Sequence, residues 1–98
     1  MKEKTMPATF CKFVFADDVS KKSVEAALDC AVFLAEFAFG KARARIDAAY
    51  KVADDPPRCL IDVSTEVGRY IAVEVSDTFT KLRGDRSFEI YQVDQWNI

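Results

Sequence analysis

The first apolar stretch, residues 8–16 (ATFCKFVFA), is β-branched and aromatic and predicts a strand. Asp17, Asp18 and Ser20 follow it with short oxygen-bearing side chains that can accept the free N–H groups of a first helical turn. Lys21 and Lys22 in that turn oppose the helix dipole slightly. The stretch up to Phe39 is rich in Ala and Leu and holds neither Gly nor Pro, which predicts a helix closed by Gly40 at the C′ position. In residues 42–53 the period changes. Ala44, Ile46, Ala48, Tyr50 and Val52 share one face, and Arg43, Arg45, Asp47, Ala49 and Lys51 the other, which predicts a second strand. Helical spacing of Ala42, Ile46, Ala49 and Ala53 is the competing pattern, and Gly40 favours the strand.

Asp54, Asp55, Pro56 and Pro57 mark a turn, and residues 58–63 (RCLIDV) a third strand. Ser64, Thr65 and Glu66 open a second helix. Along it Val67, Ile71, Val75, Thr78, Phe79 and Leu82 gather on one side, opposite Arg69, Ser76, Asp77, Thr80 and Lys81, with Gly84 closing the segment. A strand through Arg69–Ser76 is the rival, because Ile71, Val73 and Val75 also alternate. Helix is preferred over residues 66–82 because the pattern continues to Leu82. Residues 87–93 (SFEIYQV) predict the last strand.

The order is β-α-β-β-α-β, and its halves echo each other: a cysteine-bearing strand, a helix, a glycine and another strand. This fits an α+β, ferredoxin-like two-layer sandwich, with an antiparallel sheet in the order 4-1-3-2, two helices on one face and the other face open. The expected division is a flexible N-terminus over 1–7, one domain over 8–94 and a tail over 95–98.

Composition narrows the chemistry. The 98 residues include 14 basic and 16 acidic side chains, a formal charge of −2, and no histidine. There is thus no Ser-His-Asp triad, no Cys-His pair and no imidazole base. Only three glycines occur, each isolated, so no phosphate-cradling loop is available. The acid pairs Asp17-Asp18 and Asp54-Asp55 lack the ligand number of a cation site and read as helix-start and turn residues. Arg83-Gly84-Asp85 reads as a turn after a helix. Cys11, Cys30 and Cys59 lack metal-ligand spacing and are read as apolar side chains of a reduced, cytoplasmic chain. No cofactor, metal or catalytic residue is expected, no leader or membrane span is read, and the mixed charge argues against DNA.

On the predicted frame the open sheet face carries Phe10, Lys12 and Val14; Arg43, Arg45, Asp47, Ala49 and Lys51; Arg58, Leu60 and Asp62; and Glu89, Tyr91 and Val93. Lys12 is expected to pair across strands with Asp62 or Glu89. On the first helix, Val24, Ala27, Ala31, Leu34, Ala35 and Ala38 are expected to face the sheet. Phe33 and Phe37, with Ala26 and Cys30, then lie on one flank, and Val32 and Phe39 on the other. These apolar groups exceed the needs of one core and predict a partner surface, with Phe10, Phe33, Phe37, Leu60 and Trp96 as its contacts. The competing explanation has the tail fold back, Trp96 and Ile98 covering the helix flank. The leading functional expectation is a small cytoplasmic protein-interaction or regulatory module, a homodimer or a subunit of a larger complex. The alternative is a small-molecule or metabolite binder, with or without catalysis, using Lys12, Arg45, Arg58 and Asp62. RNA binding ranks below both, because Phe10 is the only aromatic on the central open-face strands.

Overall fold

Ser20 and Thr65 set the starts of the two long helices. The Ser20 hydroxyl accepts the Ser23 N–H at 3.1 Å, and the Thr65 hydroxyl accepts the Gly68 N–H at 2.9 Å. A computed structural model describes residues 9–98; the expected flexible segment 1–7 lies outside them. The described chain is α+β. It runs β1 (Phe10–Phe15), α1 (Lys21–Phe39), α2 (Lys41–Asp47), β2 (Tyr50–Ala53), β3 (Arg58–Asp62), α3 (Glu66–Arg83) and β4 (Phe88–Val93). The four strands form one antiparallel sheet in the order β2-β3-β1-β4. Residues 66–82 are helical, as the apolar pattern continuing to Leu82 predicted.

One predicted element is corrected. Residues 42–49 do not belong to a strand: α2 occupies Lys41–Asp47, and β2 is reduced to Tyr50–Ala53. Gly40, at φ 91°, ends α1 with its N–H on Glu36 O and lets a new helix begin at the next residue. Ala, Arg and Lys are strong helix formers, and Ile46 is the only β-branched residue between Gly40 and Val52. An i,i+4 pair, Arg43 with Asp47 at 3.8 Å, supports the turn. Ala44 is fully buried, whereas Ile46, expected in the core, is 80% exposed.

The core lies between the sheet and the two long helices. Phe13, Phe15, Cys59 and Ile61 meet Val24, Leu28, Ala31 and Ala35 of α1 and Val67, Ile71, Val75 and Phe79 of α3. Phe15 packs against Phe79 with ring centroids 4.7 Å apart. The buried stripe of α1 differs in part from the expected one. Leu28 is inside, while Leu34 and Ala38 are exposed. Positions 24, 28, 31 and 35 make a straight seam at spacings of four, three and four, and a helix held flat on the sheet follows it. On α3, Leu82 lies outside the core and is exposed.

Candidate interaction surfaces

The open sheet face is set by the pairing register. Lys12 sits opposite Leu60 on one side and Tyr91 on the other; Phe10 opposite Asp62 and Val93; Val14 opposite Arg58 and Glu89. Lys51 of β2 is opposite Leu60. Lys12 is thus aligned with neither Asp62 nor Glu89, contrary to the expected cross-strand pairs. Arg43, Arg45 and Asp47 are absent from this face because they ride on α2. Arg43 donates to Glu66 at 2.7 Å and lies over the Phe39 ring, and Arg45 pairs with Glu36 at 3.3 Å.

Residues 94–98 return across this face. The Trp96 ring stands 5.0 Å from that of Phe10 and under the Lys51 ammonium at 4.8 Å, and Lys51 Nζ donates to the Trp96 carbonyl at 2.8 Å. Two residues on, Arg58 donates from Nε and Nη2 to the Ile98 oxygen at 3.0 and 2.9 Å. Arg58 Nη1 also donates to Asp54 O and Pro56 O, tying the turn to the same anchor. Leu60, between Lys51 and Lys12 in the register, is fully buried although it stands apart from the helix-side core. The segment running from Lys51 and Phe10 to Arg58 lies over its row. Trp96 and Ile98 therefore pack on the sheet and not on the flank of α1.

Of the four charged residues considered for a small ligand, Lys12, Arg58 and Asp62 share the open sheet face, and Arg45 does not. Arg45 is on α2, Arg58 is engaged by three carbonyls, and Asp62 accepts from the Ser64 N–H and hydroxyl at 2.9 and 2.6 Å. Lys12 remains on the central strand, flanked by Leu60 and Tyr91. Among the described residues no three His, Cys, Asp or Glu side chains are grouped to hold a metal ion. No described helix is long and apolar enough to cross a membrane.

The outer side of α1 is different in kind. Phe33 is 58% and Phe37 77% exposed, and the two rings meet edge to face at 5.1 Å. Ala26, Cys30, Phe33 and Phe37 repeat the four-three-four spacing of the buried seam, displaced by two residues and so turned to the opposite side. Next to the first half of this outer seam, α1 and α3 leave an apolar groove of about 450 Å³ whose α1 wall is Ser23, Ala26, Ala27 and Cys30. Leu82 of α3 forms part of the other wall. At its foot Arg83 donates to Asp18 at 2.6 Å. The groove escaped the sequence reading because it needs the side-by-side placement of α1 and α3. The second seam was legible as a spacing.

The cysteines divide by environment. Cys30 is exposed on the outer seam, Cys11 is half-buried and Cys59 is fully buried. Burial pushes the Cys59 thiol up to about 12, helped by neighbouring Cys11 and opposed by a backbone hydrogen bond from Phe13. Burial also raises the Cys11 thiol, so neither is an activated nucleophile.

No protein-family model matches this chain, and neither does any curated protein or solved structure at a significant level.

Proposed function

We propose that this chain is a small cytoplasmic protein-interaction or regulatory module, working as a homodimer or as a subunit of a larger complex, with the outer face of α1 as its contact surface. The observation that carries this reading is the exposed Phe33–Phe37 pair on a second apolar seam beside an apolar groove. Two exposed phenylalanines in contact leave on the order of 250 Å² of aromatic surface in water, approaching the patch size that marks partner surfaces. A cytoplasmic setting is in keeping with three unpaired cysteines. The strand order β2-β3-β1-β4 and the element sequence support a ferredoxin-like plan, with α2 inserted before the second strand.

Phe10, Leu60 and Trp96 play a different part in this reading. They join the sheet to residues 94–98 within one chain, so they stabilise the fold, and the partner contacts concentrate on Phe33 and Phe37. Metabolite and RNA binding on the open sheet are less well supported, because that face already holds Trp96 and Ile98. The test is quantitative affinity capture from the native cells with three baits: wild type, Phe33→Ser/Phe37→Ser and Trp96→Ala. Co-purifying protein, whether this chain or another, should be lost from the first variant and retained by a folded Trp96→Ala. Equal recovery on all three baits would refute the assignment.

A further inference from the structure

The outer face of α1 carries a knob and a hole on the same helix. Its second half projects Phe33 and Phe37. Its first half lines the groove with Ser23, Ala26 and Cys30 together with the largely buried Ala27, at positions i, i+3, i+4 and i+7. Four small side chains so spaced form the kind of hole that receives one large side chain from a facing helix. With Leu82 as a further wall, the groove offers about 450 Å³.

A surface that holds both halves of a fit is complementary to itself when turned about a two-fold axis. The geometry points to a second copy of this chain as the occupant: an antiparallel α1–α1 packing in which Phe33 of each copy enters the Ser23–Ala26–Ala27–Cys30 hole of the other. This identification rests on the functional reading above and names its partner.

Charge selects the register. The residues flanking the seam on the side away from α3 are Lys22, Asp29 and Glu36, spaced by seven. With Phe33 in the hole the two-fold passes near Asp29 and Cys30, and Lys22 of one copy lies beside Glu36 of the other. Arg45 already holds Glu36 at 3.3 Å, so Lys22 completes a basic-acidic-basic row. Sliding the copies until Phe37 fills the hole would set Asp29 against Glu36, two like charges. The favoured register leaves one unfavourable contact, Asp29 near its own copy, and this makes the arrangement separately testable. It also brings the two exposed Cys30 thiols close together, while Cys11 and Cys59 stay within each protomer.

The experiment is sedimentation of the purified full chain across a concentration series, with a short bismaleimide as a cross-linker. The expected result is a dimer joined through Cys30 and not joined in Cys30→Ala. Phe33→Ser should raise the dimer dissociation constant by about 30-fold, the effect of losing a buried aromatic anchor. Lys22→Glu should weaken the dimer, and Lys22→Glu/Glu36→Lys should recover it. Asp29→Asn should tighten it. Circular dichroism on each variant separates loss of association from loss of folding. A chain that stays monomeric at high micromolar concentration overturns the proposal, as does a dimer indifferent to Phe33→Ser or one that Cys30 cannot join. A monomer whose Phe33→Ser/Phe37→Ser variant still loses a different co-purifying protein would refute the self-packing alone. Loss of nothing would refute both.

Discussion

Trp96 packs against Phe10 with ring centroids 5.0 Å apart and ring planes inclined at 45°, so part of the sheet face opposite the helices is covered by a segment of the same chain. The contact is reinforced by Lys51, which sits over the indole and donates to the Trp96 carbonyl. An aromatic pair of this kind contributes about 0.5–1.5 kcal/mol beyond its buried area, and a cation over a ring a similar amount.

Replacing Trp96 with Ala should therefore lower stability by about 2 kcal/mol, since it also uncovers Leu60. Phe10→Ala should cost less, and the two changes together should fall short of their sum by about 1 kcal/mol in urea unfolding. Trp96 is the only tryptophan, so its emission reports the same contact. Phe10→Ala should shift the emission to the red while the far-ultraviolet dichroism is unchanged. Simple additivity with unshifted emission would mean that the segment does not rest on the sheet.

Phe33 and Phe37 predict the reverse pattern. Ser at either position should lower monomer stability by only about 1 kcal/mol, the loss of the ring pair, because both side chains are mostly in water. Phe13→Ala, by contrast, removes a fully buried ring and should cost about 3–5 kcal/mol. Thermal and urea midpoints at low protein concentration, where association does not contribute, make the comparison.

Much of this division was legible in the residues. The excess of apolar groups on the first helix was visible because Lys22, Glu25, Asp29 and Glu36 form a narrow polar stripe. The helix over Glu66–Arg83 was legible because the apolar positions keep a 3.6-residue pattern to Leu82, which a strand would abandon, although Leu82 itself lies exposed. Residues 42–49 were misread because ARARIDAA satisfies both periods. Their intrinsic preference for helix prevailed once Gly40 allowed a restart, and with it Arg43, Arg45 and Asp47 left the sheet. Leu28 was left out of the expected stripe, although it continues the seam through Val24, Ala31 and Ala35. The place of Trp96 was hidden for another reason. Its partners Phe10, Lys51 and Arg58 come from three strands, and only the register brings them together.

Gly68 gives a prediction that periodicity could not. A Cβ built there would stand 1.7 Å from the Asp62 carbonyl oxygen, a backbone atom that cannot step aside cheaply. The close approach packs the first turn of α3 against the end of β3, where Thr65 caps the helix through the Gly68 N–H. Gly68→Ala should cost about 3 kcal/mol or more, measured by urea unfolding, although alanine is the better helix former. A neutral or stabilising outcome would contradict that packing.

Cys59 predicts a loss of stability in alkali. Its thiol is neutral in the fold, and burial moves its pKa from 9.0 up to about 12. The folded state thus holds this proton where the unfolded chain releases it. The contribution is fully present below about pH 8.5 and is lost as pH rises toward the folded value. Tyr50, raised by burial and then by Asp29 and Glu25, adds to the same trend. Urea midpoints at rising pH should fall for the wild type and fall less steeply for Cys59→Ala. Parallel slopes would mean that the thiol is as free in the fold as in the unfolded chain. Maleimide labelling at neutral pH should mark Cys30 first and Cys59 last.

The central claim is that the outer face of α1 meets protein, while the open sheet face, covered in part by residues 94–98, does not. Its most direct test is photo-cross-linking in the native cells, with benzoyl-phenylalanine in place of Phe37 and, in a matched sample, in place of Tyr91 on the sheet. Discrete protein adducts from position 37, with few or none from position 91, are predicted. Their absence at position 37, or a stronger yield at position 91, would contradict the account.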